Sequence, residues 1–223
     1  MIDLKKEQEA SLAREPYKYS LAAKFFFFSM DLVTGKKTTL SKAKLLESLA
    51  SIPYRAWENR QYRRLTCKYQ DEEIVNNANK IMFWGREAQD NEYWHLLVIN
   101  EKMKEDGMKN AWYLTPMVSC TMIGTWVIIS RTLALFNISR AFLFNAEFED
   151  HAEHIYAKFV QENPELDSQP VKSELVKKYG DFRSWGDVFR RIGLDERDHR
   201  NKSFVYCGRP EDVVKYEGMP EVH

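Results

Sequence analysis

Two Glu-x-x-His tetrads constrain this chain more than anything else in it: Glu92-Tyr93-Trp94-His95 and Glu196-Arg197-Asp198-His199. A spacing of three sets Glu and His on one face of a helix. A single pair of this kind is common on a helix surface, but these two fall on faces that are otherwise apolar. In the first stretch Val75, Ala78, Met82, Gly85, Ala88, Leu96, Ile99 and Met103 follow the helical period, with Glu92 and His95 on the same stripe. In the second, Trp185, Val188, Phe189 and Ile192 lead directly to Glu196 and His199. Buried ionisable groups cost free energy unless they are paired or bind metal. Two such pairs therefore ask for a shared ligand.

An inward-facing metal pair in a four-helix bundle draws one further Glu from each of two other helices. Glu47, followed at helical spacing by Ala50 and Tyr54, offers the first. Glu149 offers the second, on a stripe with Phe142, Ala146, Ala152, Tyr156 and Phe159, whereas Glu147 and Glu153 compete from off that stripe. Glu47 precedes Glu92 by 45 residues and Glu149 precedes Glu196 by 47, so each half reads helix-Glu, then helix-ExxH. Four carboxylates and two imidazoles suit two iron ions, because carboxylate oxygens bridge metals and stabilise the oxidised state, and imidazole suits iron. Manganese is the competitor. Zinc is disfavoured, since no thiolates are in place and six ligands exceed its usual demand.

Composition agrees with one folded domain over residues 1–223. Hydrophobic residues make up 44% and charged residues 30%, while nine Gly and seven Pro are too few for a turn-rich β fold. Lys+Arg and Asp+Glu each number 33, and that balance argues against a nucleic-acid partner. Cys67, Cys120 and Cys207 form no CxxC pair and are expected as small buried hydrophobes in a reducing compartment. The first twenty residues mix acids and bases without an apolar core, so no cleavable signal or transit peptide is expected.

Helical patterning dominates the rest. A polar arm (1–18) precedes an apolar and aromatic segment, 19–33, that breaks at Thr34-Gly35. Ser41 is the expected cap of a helix through Pro53, where a bend is expected because proline cannot donate to the ladder. Asp71 caps a helix over 72–106, Pro116 opens an apolar one ending near Asn137, and Ser139 caps the next, which stops at Asn163-Pro164. Ser184 with Asp187 gives a capping signal for the last helix, before an irregular tail, 205–223. Residues 111–130 carry no charge and reach bilayer-spanning length, though Pro116, Gly124 and five Ser/Thr suit a buried or interface-lying helix as well. Arg60–Arg64 reads as a solvated face able to meet anionic headgroups, and His151 and His154 read chiefly as surface residues.

Over residues 40–205 the sequence resembles the alternative oxidase family, the membrane-bound di-iron quinol oxidases. The motifs that carry the resemblance are LLESLASIPYRAW (45–57), EAQDNEYWHLL (87–97), NAEFEDHAEHIYAKF (145–159) and GLDERDHRN (193–201). Glu47 stands before Ile52-Pro53-Tyr54 as the family's first ligand stands before its own turn. Asn91–Leu96 matches NExxHL, Glu149 lies seven before Tyr156, and Asp195–His199 matches DExxH. Glu149-Asp150-His151-Ala152 and the IPY turn lean toward the plastid-type plastoquinol terminal oxidases.

The resemblance implies an all-α four-helix bundle with additional apolar membrane-interface helices, monotopic in a thylakoid or bacterial inner membrane and paired as a homodimer. It implies oxidation of two quinols, plastoquinol or ubiquinol, with reduction of O2 to water at two iron ions and without proton pumping. Tyr156 would serve electron or radical transfer, Asn91 and Asp195 would orient the ligands, and Lys42, Leu46, His151 and Ala152 would meet quinol. Lys42 stands where the family carries Arg. Two other classes share parts of the pattern: a ribonucleotide reductase small subunit or hydroxylase, and a ferritin-like iron-binding bundle.

Overall fold

The computed structural model describes residues 2–220. Those residues form eight α-helices and no strand: α1 Leu4–Ala13, α2 Leu21–Thr34, α3 Leu40–Lys68, α4 Glu72–Glu105, α5 Pro116–Phe136, α6 Ile138–Glu162, α7 Val176–Tyr179 and α8 Trp185–Tyr206. Short 3-10 turns at Trp112–Leu114, Pro164–Ser168 and Pro210–Asp212 complete the list among the described residues. The last three residues of the expected tail lie outside them. The chain divides into two compact units, Thr39–Ala141 and Met1–Thr38 with Phe142–His223.

Within Thr39–Ala141, α3 packs along α4 and α5. Asp71 caps α4 by accepting from the Ile74 amide, as the sequence predicts. The cap of α3 is Thr39, whose hydroxyl accepts from the Lys42 amide, and not Ser41. Gly85 of α4 faces the Tyr54 carbonyl oxygen of α3, where a Cβ would sit in ordinary contact at 3.5 Å. Tyr54, Trp57 and Trp84 fill that contact, the two indoles stacked at 5.0 Å. Cys67 and Cys120 are exposed, which corrects the expectation that every cysteine is buried.

α3 runs on through Pro53. The missing proline N–H frees the carbonyl of Leu49, one turn earlier. Trp126 of α5 supplies the replacement, its Nε1–H donating to that oxygen at 3.1 Å in a buried position. Trp126→Phe should therefore strand a buried carbonyl and cost about 1–3 kcal/mol, read as a lower unfolding midpoint in denaturant.

The other unit packs α8 against α6 and α1. Ser184 caps α8 through the Asp187 amide. α6 begins at Ile138, with Asn137 Oδ1 accepting from the Arg140 amide, so the expected cap at Ser139 is displaced by two residues. The polar arm contains a ten-residue helix, α1, which a buried network holds. Arg197 of α8 donates to Glu7 and to Glu153, the latter at 2.8 Å, and also to Ser11. Arg14 donates to Glu153 and Asp150. Burial alone would push the Glu153 carboxyl up. The hydrogen bond from Arg14 and the charges of Arg197 and Arg14 outweigh it and hold the group at about 2.

The Phe25–Phe28 run divides by helical period. Phe26 and Phe27 turn toward α6, where Phe26 meets Phe144 and Phe148 and Phe27 stacks on His151 at 4.1 Å. Leu21, Phe25, Phe28 and Leu32 form an exposed apolar stripe. α5 is the one helix among the described residues long and apolar enough to cross a membrane, and only 17% of its most apolar window is buried.

Candidate metal centre

Each unit carries its own cluster of two carboxylates and one imidazole. In Thr39–Ala141, Glu47 comes from α3, and Glu92 and His95 from successive turns of α4. His95 Nδ1 lies 3.3 Å from Glu47 Oε2 and 3.5 Å from Glu92 Oε2. Glu92 and His95 are 0% exposed and Glu47 is 4% exposed. One imidazole can balance at most one of two carboxylates. Two buried carboxylates beside one imidazole are a donor set of the kind that a cation engages.

In the other unit Glu149 comes from α6, and Glu196 and His199 from α8. His199 Nδ1 lies 3.5 Å from Glu196 Oε2. All three are buried. Glu149 Oε1 accepts from Asn145 Nδ2 at 3.0 Å, and the same amide donates to Ser203 on α8. In both trios the potential ligand atoms lie within 4.8 Å of one another, a separation at which one ion can gather them. The oxygen and imidazole donors suit iron or manganese. The residues present therefore fit a metal ion in each trio.

The competitors for the third carboxylate are buried too, but otherwise engaged. Glu147 accepts from the Ser20 amide and hydroxyl, and Glu153 is held by arginines. Tyr156 is buried, its ring parallel to that of Phe189 at 6.4 Å. Gly193 makes room for it, since a Cβ there would lie 3.2 Å from Tyr156 Cβ. Asp195 accepts from Tyr179 and Arg191. Asn91 is half-buried on α4, one residue before Glu92.

The residues expected to meet quinol are divided between the units. Lys42 is buried and Leu46 half-buried on α3, while His151 and Ala152 are half-buried on α6. His151 stacks on Phe27, and both ring nitrogens of His154 have backbone oxygen partners, at Asp150 and Arg14, which corrects the surface reading of these two histidines. A cleft of about 820 Å³ within Thr39–Ala141 reaches Glu47 and Glu92 past Ser51, Arg55, Gln89 and Tyr93. Sequence reasoning gave none of those four a role at the site, nor Asn145. Only the position of Asn145, one turn before Glu149 on α6, could have pointed to it.

No protein-family model matches this sequence, and no curated protein matches it either.

Proposed function

We propose that the protein is a membrane-bound quinol:oxygen oxidoreductase in which each trio holds one iron ion. One observation carries this reading: the same buried donor set, two Glu and one His, occurs twice, each time with its ligand atoms within 4.8 Å of one another. The sequence motifs around those six residues supply the choice of reaction. Two quinols give up four electrons and four protons, and O2 takes them to leave as two waters. Bound iron would supply the one-electron steps and the site for O2.

The chain's own groups have separable tasks. Glu47, Glu92 and His95, and Glu149, Glu196 and His199, hold the ions. Asn145 fixes the aim of Glu149 by its hydrogen bond. Asn91 and Asp195 orient the helix turns from which the ligands project. Lys42, Leu46, His151 and Ala152 are the proposed quinol contacts. The Tyr156 phenol would give up an electron and a proton where iron is bound, and its ring is kept in place by Phe189 and by the space at Gly193. Tyr156→Phe should keep about two irons per chain while turnover falls by an order of magnitude or more. Normal turnover would make Tyr156 a packing residue.

The exposed stripes support a place at a bilayer. At 14 residues α2 is about 21 Å long, too short to span a hydrocarbon core of about 30 Å. Its Leu21-Phe25-Phe28-Leu32 stripe is suited to lying in one leaflet. We propose a monotopic protein, in which α5 lies along the bilayer surface instead of crossing it, and a homodimer as its assembly.

The test is oxygen uptake by membranes containing the protein, given reduced quinol, with and without cyanide. Cyanide-resistant uptake that tracks iron content is the expected result. Two irons per chain without quinol-dependent uptake would favour a hydroxylase or reductase-type site. A mineral core in a protein that stays out of detergent would favour iron storage.

A further inference from the structure

The second half of α3 gathers cations beside the apolar face of α5. Arg60 and Arg63 of α3 and Arg131 of α5 line a cleft of about 420 Å³ with Ala56, Asn59 and Leu135. Among the described residues, none hydrogen-bonds or ion-pairs with these three guanidinium groups. The nearby polar groups are engaged elsewhere: Glu58 pairs with Arg86, and Arg64 donates to Gln61 and Asn77. Burial and the charge of Arg64 push the Arg60 guanidinium down. Guanidinium forks match phosphate oxygens in geometry and in charge.

The rim of the cleft narrows the choice of anion. Leu135 is part of its wall and is 44% exposed, and Phe136 and Ile128 on the same helix are 82% and 68% exposed. A free phosphate or an acidic peptide would use the cations and leave this apolar surface in water. An anionic phospholipid uses both. We propose that the Arg60-Arg63-Arg131 cleft binds the phosphate headgroup of an anionic phospholipid, with the acyl chains along the exposed face of α5. This rests on the membrane-surface part of the proposed function, and on neither the metal nor the quinol.

The experiment measures binding of the full-length protein to vesicles of phosphatidylcholine alone and of phosphatidylcholine mixed with phosphatidylglycerol. Each cation at an anionic surface strengthens binding by about fivefold, so the three together give a gain of roughly a hundredfold. The triple variant Arg60→Gln/Arg63→Gln/Arg131→Gln should lose that gain and keep its binding to neutral vesicles. Arg86→Gln removes an exposed arginine that already has partners, and should keep the gain. A triple variant that retains the gain, or an Arg86→Gln variant that loses as much, overturns the proposal. Wild-type binding to neutral vesicles with no gain from phosphatidylglycerol sinks the lipid site and leaves the membrane reading standing. No binding to either vesicle sinks both.

Discussion

Glu92→Ala or Glu196→Ala should abolish iron loading and quinol-dependent oxygen uptake. Loss of an outer partner of a metal ligand costs roughly 10–100-fold in affinity or activity, and loss of a ligand in the middle of its trio costs more. The stability of the metal-free protein should move the other way. Each trio sets two buried carboxylates beside one imidazole, an arrangement that a bound cation would stabilise. Metal-free Glu92→Gln should be as stable as the metal-free parent or more so. Chelation should lower the parent's melting temperature and leave the variant's unchanged. Iron content, uptake and paired melts with and without chelator check all three. A variant that keeps full uptake rejects the assigned site, and one that unfolds without metal makes Glu92 a structural group.

Arg197→Met should cost the largest stability of any single change considered, about 3–5 kcal/mol. It leaves the buried carboxylates of Glu7 and Glu153 short of a counter-charge. Arg14 compensates Glu153 only in part. The first visible consequence should be release of α1, detectable as faster amide exchange over Leu4–Ala13. The same network fixes the pH response. The folded Glu153 carboxyl sits at about 2, below its ordinary value near 4.5. Its contribution is complete above pH 4.5 or so, fades as pH falls through that window, and is gone below about 2. The depression is worth about 3 kcal/mol. Amide exchange in α1 should therefore stay slow to well below pH 4 in the parent, and accelerate at higher pH in Arg14→Met. Identical acid profiles would show that Glu153 does not couple to the arm.

The helices legible in the sequence are those whose ends carry local signals. Asp71 and Ser184 cap where expected, and Pro116 opens α5, because each choice involves side chains within a few residues. Thr39 and Asn137 displaced Ser41 and Ser139 for a reason that local reading cannot supply. Two polar residues two apart pass the same test, and which one reaches the first-turn amides depends on where the incoming chain turns. α1 was seen only as a polar arm, since its partners lie some 140 to 190 positions away. The six Glu and His residues were legible because each interrupts an apolar stripe. Glu147 and Glu153 break the same rule in reverse: they lie off the stripe and are buried all the same, covered by Ser20, Arg14 and Arg197. Asn145 was missed because an amide on a helix leaves no periodic mark.

The hydrogen bond from Trp126 to the Leu49 oxygen has a consequence for how α5 is presented. Apolar side chains alone would fix the rotation of α5 only loosely, since they occur around most of its circumference. A single indole fitted to a single vacated carbonyl removes that freedom and works as a key in a lock. The side that carries Ile128 and Phe136 is thereby kept outward. One amide hydrogen absent from α3 decides how a 21-residue segment of another helix is presented to its surroundings.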